Sequence, residues 1–251
     1  MRLFKQFVYG ALYLIVIGGV GAWTYERLTR TPPTCTDGIQ NQHEEETDCG
    51  GECAECEARE REVRIVESPR VFALTDRHAA ALVRVKNQST QFWLPRIRYT
   101  FVLYDAFGVV ASTSSGATTI GPGEEKNLAE GGISLDARDV GRVEVFFDNL
   151  FWERAVRYLP LALRAEVTSH AAARDAARVS GKLTNSSRVS AGPVRVGVLL
   201  IGRDGAAKTL VTTDIDRISP LSSAPFEVVV PLAAYAASDL GRTEVFFDRR
   251  R

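Results

Sequence analysis

Residues 97 to 104 read IRYTFVLY. Ile97, Tyr99, Phe101 and Leu103 make one apolar row; Arg98, Thr100, Val102 and Tyr104 alternate with them. Alternation over eight residues, in β-branched and aromatic types, is the period of a strand with one face buried. The run stops at Asp105-Ala106-Phe107-Gly108, which is turn chemistry. Ahead of it Val83 and Val85 alternate with Arg84 and Lys86; later, Val143, Val145 and Phe147 alternate with Glu144 and Phe146. Gly121-Pro122-Gly123 punctuates the chain between these runs. Short strands with turns every ~8–12 residues predict an antiparallel β-sandwich of Ig-like topology.

The same unit occurs twice. Residues 139 to 148 read DVGRVEVFFD and residues 239 to 248 read DLGRTEVFFD, eight of ten positions identical. Asn87 in RVKNQS parallels Asn185 in KLTNSS, Ile120-Gly121-Pro122 parallels Ile218-Ser219-Pro220, and the hairpin signal at Asp105 to Gly108 parallels Gly202 to Gly205. Two copies of a ~90-residue unit follow. The first sandwich is expected over 63–149, a linker over 150–159, and a second, diverged sandwich over 160–251. Strands of the second copy are expected at Leu161 to Val167 and near 178–185, 194–202, 207–214, 224–230 and 242–248. His170 to Arg178, HAAARDAAR, has helix propensity, but the repeat places a loop there, leading into a strand.

Residues 7 to 25, FVYGALYLIVIGGVGAWTY, carry no charge. About 20 apolar residues span a bilayer's hydrocarbon core. The reading is a transmembrane signal-anchor, behind a cytoplasmic tail at 1–6 and ahead of a linker at 26–34. Trp23 and Tyr25 sit where interfacial aromatics anchor a span. A cleaved signal peptide is the alternative, with Arg2 and Lys5 as its basic region and Val20-Gly21-Ala22 as the cleavage site. Flanking charge sets orientation weakly, since Arg2 and Lys5 on one side face Arg27 and Arg30, offset by Glu26, on the other. Gly18 and Ala22 form a small-xxx-small pair through which a weak homodimer can form.

All four cysteines, Cys35, Cys49, Cys53 and Cys56, fall in the segment 35–56, before a charged linker at 57–62. Clustered, even-numbered cysteines suit an oxidising compartment, which places the bulk of the chain outside the cytoplasm. A piece this short needs a staple. Two disulfides are expected, of open connectivity; a four-cysteine zinc site is the rival. A redox role for Cys53 and Cys56 lacks a βαβ context, and Glu52, Glu55 and Glu57 disfavour a thiolate. Asp37, Asn41, Glu44 and Asp48 are oxygen donors that could hold calcium, although their spacing is not that of an EF-hand.

The pattern C-x-D-G-I-x-N … D-C-G-G-x-C-x-x-C resembles a cysteine-rich motif of bacterial surface and secreted proteins, with a longer spacer at Gln42-His43-Glu44. Phe101-Val102-Leu103-Tyr104-Asp105, with VKNQS and IGPGE, resembles the FxLYD domain family over most of residues 63 to 148. In the second copy Val198 to Gly202 keeps the apolar strand and loses the Tyr and Asp. The resemblance implies an Ig-like extracytoplasmic domain and no catalytic residues.

The expectation is thus a mainly β protein: an N-terminal transmembrane helix, a small disulfide-rich segment and two tandem Ig-like antiparallel β-sandwich domains. Thirty-one basic residues balance 31 acidic ones, which excludes an electrostatic footprint for nucleic acid; only Arg249 to Arg251 form a basic run. The three histidines, His43, His78 and His170, have no ligand at i+4, and no triad or zinc-hydrolase arrangement is signalled. Nucleophile elbow, phosphate loop and dinucleotide fingerprint are all missing from the sequence. No cofactor and no catalysis are expected, although paired carboxylates of an unrecognised hydrolase would not show in sequence. The reading is a membrane-anchored extracytoplasmic binding or scaffolding protein of a bacterial envelope, with an unidentified protein or glycan partner. A structural subunit of a membrane complex is the alternative. Phe92 and Trp93, in QFWLP, form a candidate binding loop, unless Trp93 folds inward to plug the sandwich. Leu150, Phe151, Trp152, Tyr158 and Leu159 are candidate inter-domain contacts, predicting a rigid link.

Overall fold

The computed structural model describes residues 2–29, 35–41, 43–53, 55–56, 61–148 and 150–249. The flanking Arg30 and the rest of the linker to 34, Gln42 of the spacer, residues 57–60 of the charged linker, Asn149 and the terminal Arg250 and Arg251 lie outside them. The chain divides into two compact units, 1–59 and 60–251.

In the first unit, helix α1 (Arg2–Thr29) contains a 24-residue stretch, Phe4–Arg27, of mean hydropathy 1.7, long and apolar enough to cross a membrane. Gly18 and Ala22 lie one turn apart on its exposed surface. The cysteine segment closes through Cys35–Cys53 and Cys49–Cys56. Both pairs are oxidised, so the segment offers no thiolates for zinc. Gly50 has a positive φ of 81° and packs against Glu45 so closely that a Cβ would collide with it. Such a position favours glycine.

The sheets of the second unit are all antiparallel. Its strands are β1 (Val63–Thr75), β2 (His78–Asn87), β3 (Phe92–Tyr104), β4 (Val110–Ile120), β5 (Glu125–Ile133), β6 (Arg142–Asp148) and the two-residue β7 (Glu153–Arg154). β8 (Leu163–Ala172), β9 (Ala177–Asn185), β10 (Val194–Ile201), β11 (Ala207–Ile215), β12 (Ser222–Val230), the short helix α2 (Leu232–Ala236) and β13 (Glu244–Arg249) follow. Sheets β1-β2-β5 and β4-β3-β6 make one sandwich; β8-β9-β12 and β11-β10-β13 make the other, in the same strand order. Each has its own core. Leu94, Ile97, Tyr99, Phe101 and Leu103 of β3 and Ile120, Val83 and Val85 fill the first; Val194, Val196, Val198 and Leu200 of β10, with Val179, Leu183 and Phe226, fill the second. The alternation of 97–104 is therefore the inward row of β3.

Two elements differ from the sequence expectation. The second sandwich opens at Leu163 rather than Leu161, and its first strand runs on to Ala172. The alanine-rich stretch is the end of β8, a tight turn and the start of β9, with His170 paired to Val179 and Ala172 to Ala177. Burial of Ala177 and Val179 in the core outweighs local helix preference.

The two sandwiches stack. A third apolar cluster joins Phe72, Ala80, Leu82 and Ala129, on the outer face of β1-β2-β5, to Leu199 and Leu210, on the outer face of β10 and β11. Both central sheets are thus covered on two sides, and Ala79 to Val83 and Val196 to Leu200 are buried without a break. Gly131 of β5 approaches Thr212 of β11 so closely that a Cβ would collide with its hydroxyl. The outermost face of the second sandwich is polar by contrast. Where Ala80 and Leu82 meet the second sandwich, the matched positions of the second copy are Arg178 and Ser180, with Arg178 paired to Glu227 at 2.7 Å. Where Leu199 and Leu210 are buried, the matched positions of the first copy are Val102 and Thr113.

Candidate functional site

Where β3 starts, β5 starts, β13 ends and the linker crosses, the second unit leaves a cleft of about 560 Å³. Trp93, Tyr158, Leu159, Pro160, Leu161 and Phe247 form its aromatic and apolar wall; Thr119, Glu124, Lys126 and Arg249 form the polar side. This size falls within the ~300–1,000 Å³ of small-ligand pockets. The Trp93 and Tyr158 rings lie 5.0 Å apart, tilted by 52°. The linker holds Tyr158 in place by a one-turn 3-10 segment, in which the Tyr158 N–H donates to Ala155 O at 2.9 Å. The Trp93 indole N–H is buried without a hydrogen-bond partner among the described residues.

Two polar clusters cross from one sandwich to the other, the first of them at the cleft's polar side. In the first, the Lys126 ammonium donates to Thr119 O at 2.6 Å and lies 3.4 Å from both Glu124 and Asp248. The Thr118 hydroxyl donates to Asp248 Oδ1. Asp248 is 2 % exposed, and burial pushes its carboxyl up to about 6 against the pull of Lys126 and Thr118. Asp148, its match in the repeat, is exposed on the free face of the first sandwich. In the second cluster, Glu130 accepts from the Tyr99 hydroxyl at 2.9 Å and from the Arg195 guanidinium at 2.6 Å. Arg195 also forks onto Asp214 at 2.8 and 2.9 Å. Burial pushes Glu130 up to about 7, opposed by Arg195 and the Tyr99 hydrogen bond. The buried Tyr99 phenol is driven well above its ordinary value, chiefly by burial and then by the two carboxylates.

Phe92 is buried on β3, paired to Arg154, with the Arg61 and Arg154 guanidinium carbons 4.1 and 5.5 Å from its ring centre. Phe92 and Trp93 therefore belong to a strand, and Trp93 lines the cleft. Of the linker residues, Trp152 packs on the first core, Tyr158 and Leu159 line the cleft, and Leu150 and Phe151 are 46 % and 65 % exposed. The contact between sandwiches is made by sheet faces that sequence reasoning did not single out: Phe72, Leu82, Leu199 and Leu210, flanked by Glu130–Arg195 and Lys126–Asp248. The signal was there in AAALV and VGVLLI, continuous apolar runs of the kind that mark strands covered on both faces.

In the cysteine segment Asp37, Glu44 and Asp48 serve the loop's own chain, while Asn41 Oδ1 is buried without a partner among the described residues. Asp37 accepts from the Ile39 N–H at 2.9 Å and from Asn41 Nδ2 at 3.0 Å. Asp48 accepts from the Gly38 N–H at 2.8 Å, and the buried Glu44 from the Asn41 and Asp48 N–H groups at 3.0 Å. His78 meets the Thr75 hydroxyl at 3.2 Å and His170 that of Thr243 at 3.3 Å.

No protein-family model matches the chain, and no curated protein matches it. Among solved structures, red sea bream transglutaminase is similar over 73 % of this chain and 29 % of its own, at 14 % identity and a TM-score of 0.24. The chain thus spans less than a third of that enzyme's length, and a likeness at this score carries no argument about what the chain does.

Proposed function

We propose that this chain is a membrane-anchored, extracytoplasmic binding protein whose recognition surface is the Trp93–Tyr158 cleft. α1 is the anchor, with the N-terminus in the cytoplasm; the disulfide-stapled segment is the spacer; the sandwiches are a duplicated Ig-like unit akin to the FxLYD family. The observation that supports it best is that the cleft draws its walls from both sandwiches and the linker, over an apolar junction that holds them in register. A site so preorganised binds without the cost of ordering its walls. The reading assigns recognition to the cleft, and no chemistry. A peptide and glycan array probed with the full chain in nanodiscs tests it. A ligand retained by the wild type and lost on Tyr158→Ala supports the reading; ligands held equally by both forms refute it.

A second reading, a subunit of a membrane complex, is favoured by the tip of the β3–β4 hairpin. Phe107 is 91 % exposed there, followed by exposed Val109 and Val110. The second copy has Asp204-Gly205-Ala206 at its corresponding turn. Phe107→Ser would then release a partner that Tyr158→Ala leaves bound.

A further inference from the structure

We infer that the chain forms a two-fold dimer in which β4 of one copy pairs antiparallel with β4 of a second copy. The Trp93–Tyr158 cleft plays no part in it. The four sheets end in eight edge strands: β1 and β5, β4 and β6, β8 and β12, β11 and β13. Seven of these carry charged side chains, from Arg64 and Glu67 on β1 to Arg164 and Glu166 on β8. Charge is one way in which natural sheets keep an unpaired edge from meeting another strand. β4 has no charge and no proline, and residues 106 to 123 are uncharged throughout. Among the described residues β4 pairs only with β3. Its last residues, Thr118, Thr119 and Ile120, are buried, but residues 110–117 are exposed or half-buried. The matched strand of the second copy, β11, carries Lys208 and Asp214. The unguarded edge is therefore particular to the first sandwich and not a property of the repeat.

A strand that completes this edge must be extended, uncharged and itself free on one side. A second copy of β4 meets each condition, and brings no like charge to the junction. About a two-fold axis at Thr113 or Ser114 the central pairs are serine and threonine. The chain already makes one such hydroxyl pair across β3 and β4, between Thr100 and Ser115 at 2.9 Å. Towards the ends of the pair, the exposed Val110 of each copy reaches the small residues about Gly116 of the other. The union is isologous and closed. The far edge of the same sheet is β6, whose Arg142, Glu144 and Asp148 guard it against a third copy. A single added strand is a small contact beside the ~1,200–2,000 Å² of stable interfaces, so association in dilute solution is weak. Resting on the anchor proposed above, copies tethered by α1 in one bilayer meet at a raised effective concentration.

The test uses the full chain in detergent micelles, so its outcome does not depend on the side of a membrane on which the body lies. At the two-fold axis a residue faces its own copy with Cα atoms about 4.5–5.5 Å apart, which is disulfide range. Mild oxidation is expected to give a reducible dimer from Thr113→Cys or Ser114→Cys, whichever is central, with the bond mapped by mass spectrometry to the introduced thiols. Ser223→Cys, on the charged edge strand β12, is expected to give none. In sedimentation velocity Thr113→Lys sets like charges across the pair, and is expected to weaken self-association about tenfold or more. An unchanged melting profile shows that this variant still folds. Gly18→Leu, in α1, is expected to leave the association in place. Trapping no greater than that of Ser223→Cys, or a dimer lost with Gly18→Leu and kept with Thr113→Lys, overturns the inference. A chain that stays monomeric at every concentration overturns it too, and leaves the proposed anchor and cleft untouched.

Discussion

Glu130 ties the core of the first sandwich to the second through Tyr99 and Arg195, and its carboxyl is pushed from 4.5 up to about 7. The folded chain therefore holds this proton to a higher pH than the unfolded chain does. Stability is full below about pH 4.5, falls as pH rises towards 7, and is flat above it. Over the whole window the loss is roughly 3 kcal/mol, of which about 2 kcal/mol lies between pH 5.5 and 8. Asp248, raised from 3.8 to about 6, contributes under about 1 kcal/mol in that narrower range. For a unit of this size 1 kcal/mol moves the melting temperature by about 2–4 °C. Calorimetric scans of the full chain should therefore show a fall of roughly 5–11 °C from pH 5.5 to 8. Glu130→Gln cannot ionise, and should show about a third of that fall, whatever its absolute stability. A melting temperature that rises over this range, or an equal slope in the variant, would refute the assignment of a buried, proton-holding carboxyl to the junction.

Ala80→Arg places at the junction the residue that stands at the matched, exposed position of the second copy; buried against Leu199 and Leu210, it should part the sandwiches. Scattering from the full chain in matched-out nanodiscs should then report a larger radius of gyration; an unchanged radius would count against the stacked arrangement. Asn87 is fully buried and donates to Phe92 O and Gly121 O, both at 2.8 Å, while accepting from the Ser89 N–H at 2.9 Å. Asn87→Ala should cost about 2–4 kcal/mol in urea denaturation, with a smaller loss disproving its role as the tie among three loops. Reduction of Cys35–Cys53 and Cys49–Cys56 should expose 35–56 to proteolysis and leave the melting of 60–251 in place, because the two units are separately compact. Joint loss of both would contradict that independence.

The cores were readable where one face of a strand meets solvent or only light cover. Phe101 and Leu103 point inward and Asp105 caps the β3–β4 turn, accepting from the Phe107 and Val109 N–H groups at 2.8 and 2.9 Å. The Asn87 and Asn185 match in sequence is a match in role: each side-chain amide ties the loop that follows it to the turn near Gly121 or Ser219. The stacking was not read, because alternation fails where a strand is covered twice. AAALV and VGVLLI carry that signal as unbroken apolar runs, which periodicity alone does not distinguish from other buried elements. The linker aromatics drew attention by type, yet Phe151 faces solvent while Leu82 and Leu199 make the contact. Half of the cleft was legible, in Trp93 and Tyr158. Lys126, Glu124 and Phe247 reach it through pairings between distant strands, which no local pattern records.

The proposed placement is a disulfide-stapled body outside the cytoplasm, tethered by α1. Intact cells expressing the full chain should be treated with a membrane-impermeant maleimide, with and without a membrane-impermeant reductant. The account predicts labelling of Cys35, Cys49, Cys53 and Cys56 only after reduction, without permeabilising the cell. Thiols that are free beforehand and reached only after permeabilisation would contradict it.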